Sequence, residues 1–258
     1  MIPAPLQYVR AGSLEEALEA LAVPDAKALA GGQSLIPVLK LRIARPGRVV
    51  DLGRLGLDGI ELRDGELRLG ALVTWDMLGT ADTVDALADC ARVVGDLQVR
   101  NRGTIGGSLV HADPAADLPA VALALGARLV LRSATDEREV AADDFFLGPF
   151  TTAIEPAELL TEVLVPVSPP GSGSAYVKVE HPASGFALAG AAALVRPDGS
   201  RSVAVTGVGA RASLLPEDGS LAGVEIYGDR FAPEEYRRHL AGVVVARALA
   251  LAEERAGA

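Results

Sequence analysis

A single cysteine, Cys90, stands in 258 residues, which excludes an internal disulfide and leaves no CxxC or Cys/His cluster to ligate zinc or an iron–sulfur centre. Positive charge is scarce as well: 24 Lys and Arg against 34 Asp and Glu give a formal charge of −10. That balance argues against nucleic acid or an anionic membrane as the main partner and leaves local dipoles to hold any anionic ligand. No apolar run reaches the roughly 18 residues that span a bilayer, and the opening "MIPAPLQYVRAGS" has no basic segment leading into an apolar one. A cytoplasmic chain is the expectation. Tandem repeats are missing too. What is present is 50% apolar residues, enough for one large domain or two to three small ones.

Local signals give a coarse map. Ser13, with Glu16 three residues on, forms a capping box ahead of a helix over 14–21. "AKALAGG" reads as a strand, "SLIPVLKLR" as a helix with Leu35, Val38 and Leu39 at helical spacing, and "GRVVDLG" as a second strand. "IELRDGELRLGAL" alternates apolar and polar residues around Asp-Gly, a strong hairpin signal. Residues 83–94 are expected to be helical through Leu87, Cys90, Ala91 and Val94, and a further apolar helix follows "HADPAAD". "ARLVLRS" and "ELLTEVLVP" read as strands and "VSPPGSGS" as a linker. Beyond it come the strands "AYVKVE", "FALAGAAALV" and "SVAVTGVGA", then a helix from about Pro233 to Arg255.

Two glycine clusters carry the chemistry, "GGQS" at 31–34 and "GTIGGS" at 103–108. Each alone reads equally well as an ordinary turn. Together they suggest two backbone nests whose N–H groups face a pyrophosphate. A dinucleotide site of G-x-G-x-x-G type is disfavoured, since "GGQSLI" lacks that pattern and "GVGARA" comes late, as a strand-end turn. His111, Asp113 and Asp117 in "HADPAAD" read as a turn before they read as a metal triad. Ser108 near His111 has no nucleophile elbow around it. Cys90, Trp75 and Met77 read as packing residues, and His181 and His239 as surface residues. Arg100 and Arg102, beside the second cluster, either screen a diphosphate, meet a partner or are simply solvated.

The stretches "LAGGQSLIPVLKLR", "VVDLGRL", "QVRNRGTIGGSLVHADPAADLPA", "FFLGPFTTAIEPAELLTEVLVP" and "EYRRHLAGVVVARAL" occur together and in order. In them the chain resembles the FAD-binding medium subunit of molybdenum hydroxylases, the group of carbon monoxide dehydrogenase and xanthine dehydrogenase, over nearly its whole length. The resemblance implies an α+β chain. Its two-subdomain FAD-binding fold, of the vanillyl-alcohol-oxidase/PCMH type, would occupy 1–57 and 58–167, followed by a smaller α+β C-terminal domain at 174–258. It also implies noncovalent FAD, with the diphosphate wrapped by Ala28, Leu29, Ala30, Gly31, Gly32, Gln33, Ser34 and Leu35 on one side. Thr104, Ile105, Gly106, Gly107 and Ser108 would form the other side, Asp117 would meet cofactor hydroxyls, and Val94 would be an apolar contact. Leu160 and Lys178 would lie near the flavin ring, where the lysine cation would stabilise reduced flavin. Molybdenum cofactor and [2Fe–2S] clusters are implied only on partner subunits, a large and a small one. Where relatives of this type carry more helix before "EYRRHL", this chain has "RASLLPEDGSLAGVEIYGDRFAPE". That shortening opens the possibility of a stand-alone flavin oxidoreductase, and a flavin-free structural or assembly subunit stands as a separate alternative.

Overall fold

The computed structural model describes residues 2–257 and builds three main sheets in chain order. The first contains β1 (Gln7–Arg10), β2 (Ala26–Leu29) and β3 (Arg48–Asp51), with β3 central and parallel to both neighbours. Parallel pairing needs crossovers, supplied by α1 (Leu14–Leu21) and α2 (Leu35–Lys40). Ser13 caps α1, its hydroxyl accepting from the Glu16 N–H at 3.2 Å. The return arm of the capping box is displaced by one residue, because the Glu16 carboxylate takes the N–H of Gly12 at 2.7 Å. β1, mostly exposed and preceded by two prolines, offers no alternation from which to read it.

The second sheet has the order β4-β5-β10-β6-β7, all antiparallel, from β4 (Ile60–Arg63), β5 (Glu66–Gly70), β6 (Arg128–Arg132), β7 (Glu137–Ala141) and β10 (Leu159–Pro166). Asp64 and Gly65 both take positive φ, 54° and 77°, as a two-residue hairpin turn of primed type requires. Between β5 and β6 run five helices: α3 (Trp75–Thr80), α4 (Asp85–Val93), α5 (Leu97–Arg100), α6 (Ile105–His111) and α7 (Leu118–Ala124). They bury Leu78, Cys90, Leu109 and Val121 with Leu69 and Leu129 of the sheet. A short helix α8 (Ala142–Phe145) and a small hairpin, β8 (Phe146–Gly148) with β9 (Thr151–Thr152), close the unit.

One ion pair locks β7 to the approach to β10. Arg138 donates to both Glu158 oxygens, at 2.7 and 2.8 Å, and to the Ala153 carbonyl. The Arg138 guanidinium holds the Glu158 carboxyl below the usual carboxylate value of 4.5. A lowered folded pKa means that this contribution is complete above the unfolded value and is lost as pH falls through the folded one. Glu158→Gln should therefore lower the melting temperature at neutral pH, with the difference from the parent shrinking to nothing as pH is taken well below 4.5. Melting curves across that range check it, and a difference that persists in acid would remove the ion pair as its cause.

The third sheet, β11 (Gly173–Glu180), β12 (Ala187–Val195), β13 (Arg201–Thr206) and β14 (Ser213–Leu214), is antiparallel and packs on α9 (Glu234–Ala256). β11 starts within the stretch read as a linker. α9 buries Arg237, Leu240, Ala241, Val244, Val245, Ala248 and Ala252, the three-and-four spacing of one helix face. The opposed strand residues Ala175, Ala189, Ala191 and Ala193 are small, and a side chain at Gly173 would sit 2.0 Å from the Ala252 carbonyl, so helix and sheet touch at backbone distance. The far face of β12, with Ala192 and Leu194, packs into the core of the second unit. Burial on both faces explains why "ALAGAAALV" reads as an unbroken apolar run. The short tail before α9 is well tied: Asp229 accepts from the N–H groups of Phe231 and Ala232 and from Arg237, whose guanidinium also donates to the Leu188 and Gly207 carbonyls. Among the described residues no helix is long and apolar enough to cross a membrane.

Candidate functional site

After β2 the chain must turn sharply to enter α2, and Gly32 makes that turn at φ 77°. The backbone N–H groups of Gly31, Gly32, Gln33 and Ser34 find no acceptor among the described residues. They line a groove of about 520 Å³. Gly31 is glycine for a different reason, since a Cβ there would lie 1.9 Å from the Arg102 carbonyl oxygen and 2.8 Å from the Gly103 Cα. The contact continues along one wall. A Cβ on Gly103 would fall 3.0 Å from the Val99 carbonyl and from the Trp75 ring, and one on Gly95 would fall 2.8 Å from Val99 Cβ. One on Gly185, in the loop between β11 and β12, would be 3.9 Å from Gly95 Cα. Four glycines thus form a seam along which segments from all three units abut.

The second cluster corrects the expectation of paired nests. Thr104 is the N-cap of α6, and "IGGS" is its first turn. Every amide there is already used: Ile105 donates to the Val73 carbonyl (3.0 Å), Gly106 to that of Ala71 (2.9 Å), Gly107 to the Thr104 hydroxyl (3.1 Å) and Ser108 to the Thr104 carbonyl (3.0 Å). Gly106 and Gly107 lack positive φ as well. Their function is close approach. A Cβ on Gly106 would meet the Ala71 carbonyl at 2.6 Å, whereas one on Gly107, which lines the groove, would meet the Thr104 hydroxyl at 2.8 Å and lie 3.8 Å from Ala30 Cβ. The polar capacity left on this side is the Ser108 hydroxyl, which makes no hydrogen bond among the described residues.

All the residues named from the resemblance line the groove except Leu29, Ile105 and Lys178. Ile105 is buried in the core of the second unit. The Lys178 side chain is only 3% exposed, and its ammonium is spent on Asp117 Oδ2 (3.2 Å) and the Gly185 carbonyl (2.7 Å). Asp117 sits at the N-cap position of α7 without capping it; its other oxygen accepts from the Tyr176 hydroxyl at 2.5 Å. Burial pushes the Asp117 carboxyl up against the pull of Lys178 and Tyr176, and it pushes the Tyr176 hydroxyl and the Cys90 thiol up as well.

The "HADPAAD" stretch proves to be a dock for the third sheet. The Pro114, Ala115 and Ala116 carbonyls accept from Gly207 N–H, Ala187 N–H and the Thr206 hydroxyl, and Asp113 turns back onto the Ala115 N–H. Arg100 donates to the Val94 and Gly95 carbonyls and so braces the groove wall. Sequence reasoning missed Trp75, His111, Phe150 and Phe186 as groove residues. His111 packs on Phe150, ring centroids 5.1 Å apart, and Phe150 takes φ 53° with its N–H bonded to the Ala112 carbonyl. A positive φ on an aromatic residue inside "FLGPFTT" is visible only in the backbone. No group of three His, Cys, Asp or Glu side chains converges as a metal site among the described residues.

The residues present fit FAD: unspent amides for a diphosphate, side-chain-free positions at Gly31 and Gly107 on the groove lining, and a long apolar wall. Residues 4–168 match the model of the FAD binding domain in molybdopterin dehydrogenase. The glyceraldehyde dehydrogenase medium chain of Sulfolobus acidocaldarius is 43% identical over 206 residues, 78% of this chain and 73% of its own. The carbon monoxide dehydrogenase medium chain of Hydrogenophaga pseudoflava is 36% identical over 96% of this chain and 97% of its own. A crystal structure of Cu,Mo-CO dehydrogenase includes a chain that superposes with a TM-score of 0.94 at 34% identity, covering 99% of this chain and all of that one. With a fold shared end to end and a family match over most of its length, the chain belongs to the FAD-binding medium subunits of molybdenum hydroxylases.

Proposed function

We propose that the chain holds FAD noncovalently in this groove, receives electrons from [2Fe–2S] clusters of a small partner subunit and passes them to an external acceptor. A large partner subunit carries the molybdenum cofactor and oxidises the carbon substrate. The observation that carries this reading is the row of unspent amides at 31–34 lining the same groove as Gly107. These amides bind the diphosphate, and the absence of a side chain at Gly107, which lines the same groove, leaves room for it to approach the backbone. Val94, Leu160 and Trp75 exclude water from the ring system. FAD supplies reversible electron transfer when bound. One buried cysteine gives this chain no means of ligating a cluster of its own, so the clusters belong to a partner. We assign the units 1–57, 58–167 and 174–258 one wall of the groove each.

The purified chain should show the visible absorbance of flavin and release it intact on acid denaturation. It should oxidise purines, aldehydes or carbon monoxide only when the cluster-bearing and molybdenum-bearing subunits are added. A chain that takes up no FAD, or that oxidises such substrates robustly alone, would overturn the reading.

A further inference from the structure

We infer that Arg255 and Asp89 are positioning residues for the groove: their ion pair closes the open edge of β11 and so fixes the strand that carries Tyr176 to Asp117. The inference rests on the proposed FAD groove and deepens it. β11 is an edge strand, hydrogen-bonded to β12 on one side only. Residues two apart in a strand turn their N–H and C=O groups to the same side, and Ser174 and Tyr176 turn theirs to the open edge. Among the described residues no strand meets them there. The Asp89 carboxylate of α4 accepts from the Tyr176 N–H at 3.2 Å, and the Arg255 guanidinium of α9 donates to the Ser174 carbonyl at 2.7 Å. The same guanidinium holds both Asp89 oxygens, at 2.7 and 3.1 Å. The pair thus offers β11 an acceptor and a donor side by side, as a neighbouring strand would.

Side chains of the same two residues complete the registration. The Ser174 hydroxyl accepts from the Ala86 N–H at 3.1 Å, serving α4 as the cap that Val84 cannot provide. The Tyr176 hydroxyl donates to Asp117 Oδ1 at 2.5 Å, and Gly190 is bare beside it, where a side chain would strike that hydroxyl. A line of bonds therefore runs from the last turn of α9 through Asp89 and Tyr176 to Asp117. Arginine is required at its start. Nη1 serves Asp89 Oδ2 and the Ser174 carbonyl while Nη2 serves Asp89 Oδ1, a planar fork that a lysine ammonium cannot reproduce. The same turn of α9 carries a contrasting pair, since Glu253 meets Arg201 of β13 at 2.6 Å with both side chains exposed, whereas Asp89 and Arg255 are partly buried.

The test uses the full chain with Arg255→Met, Arg255→Lys, Asp89→Leu and the paired Asp89→Leu/Arg255→Met, and with Arg201→Met to unfasten the same turn of α9 from β13. Amide hydrogen exchange of Tyr176 is followed against that of β13 without FAD; FAD affinity and the visible circular dichroism of bound flavin are measured with it. Arg255→Met and Asp89→Leu should each speed Tyr176 exchange about tenfold or more while β13 keeps its parent rate. Each should also weaken FAD binding roughly tenfold and alter the dichroism of the flavin. Arg255→Lys, which keeps the charge and loses the fork, should behave as Arg255→Met does. The paired variant should lose no more than either single one, because both remove the same contact, and Arg201→Met should match the parent in Tyr176 exchange and FAD affinity. Parent values in Arg255→Lys would reduce the pair to a charge interaction and sink the inference. So would additive losses in the paired variant, or exchange that rises equally at Tyr176 and in β13, the sign of general loosening. A parent chain that binds no FAD would overturn the proposed function alone, and exchange at Tyr176 would still decide whether the pair holds β11.

Discussion

Replacing Gly31 with alanine is expected to abolish measurable FAD binding. The new Cβ has to occupy a point 1.9 Å from the Arg102 carbonyl oxygen, and the obstacle is backbone on both sides. Overpacking of this kind costs about 1–3 kcal/mol where side chains can yield, and more where they cannot. Relief requires the 31–34 turn to part from residues 102–103, which carries the unspent amides away from Gly107. A loss of at least about 100-fold in affinity, equivalent to about 2.7 kcal/mol, should appear in calorimetric titration of the apo chain. Gly32→Ala provides the contrast. Its Cβ meets only flexible side chains, Ile36 at 2.6 Å and Leu29 at 3.3 Å, and the cost is dominated by the positive φ, about 1–2 kcal/mol. Equal affinities for the parent and Gly31→Ala would remove the seam from any part in cofactor binding.

The second large effect belongs to Asp117, and it falls on stability before it falls on affinity. Asp117→Ala leaves the buried Lys178 ammonium with the Gly185 carbonyl as its only hydrogen-bond partner and the exposed Glu180 carboxylate 4.0 Å away. Breaking a buried pair from one side costs about 3–5 kcal/mol, which in a chain of this size is a fall of roughly 10 °C in melting temperature. Thermal unfolding of apo protein should show that fall with no ligand present. If the apo variant melts with the parent and only FAD affinity drops, the carboxylate contacts the cofactor directly and the buried pair contributes little.

The sequence revealed those elements whose signals are local. Asp64-Gly65 is enough to place a hairpin, and Ser13 with Glu16 is enough to start α1. The apolar run "FALAGAAALV" marks a strand, although not that both its faces are buried. The helices α3, α5 and α6 are four to seven residues long, too short for a 3.6-residue period to emerge. The site divides in the same way. The glycines of the first turn announce themselves, because the conformation they permit is local. The second cluster misled because two of its amides are consumed by Ala71 and Val73, residues some thirty positions upstream, and the other two by Thr104, and only the folded chain shows that. Lys178 and Asp117 are 61 residues apart. Each looks like a ligand contact in isolation, and their mutual bond is a tertiary fact.

The glycine seam carries a thermodynamic corollary. Its contacts join residues separated by roughly seventy and ninety positions, so the groove has no counterpart in any fragment, and its closure entropy is met only when all three units have assembled. A ligand held there binds the assembled state and no partly opened one. Mass action then draws the population toward that state by an amount set by ligand concentration over Kd, and every opening that parts the seam, at whichever unit it begins, is suppressed by the same factor. The cofactor acts on this chain as a cross-link made without a covalent bond, in a molecule that has no second cysteine with which to make one.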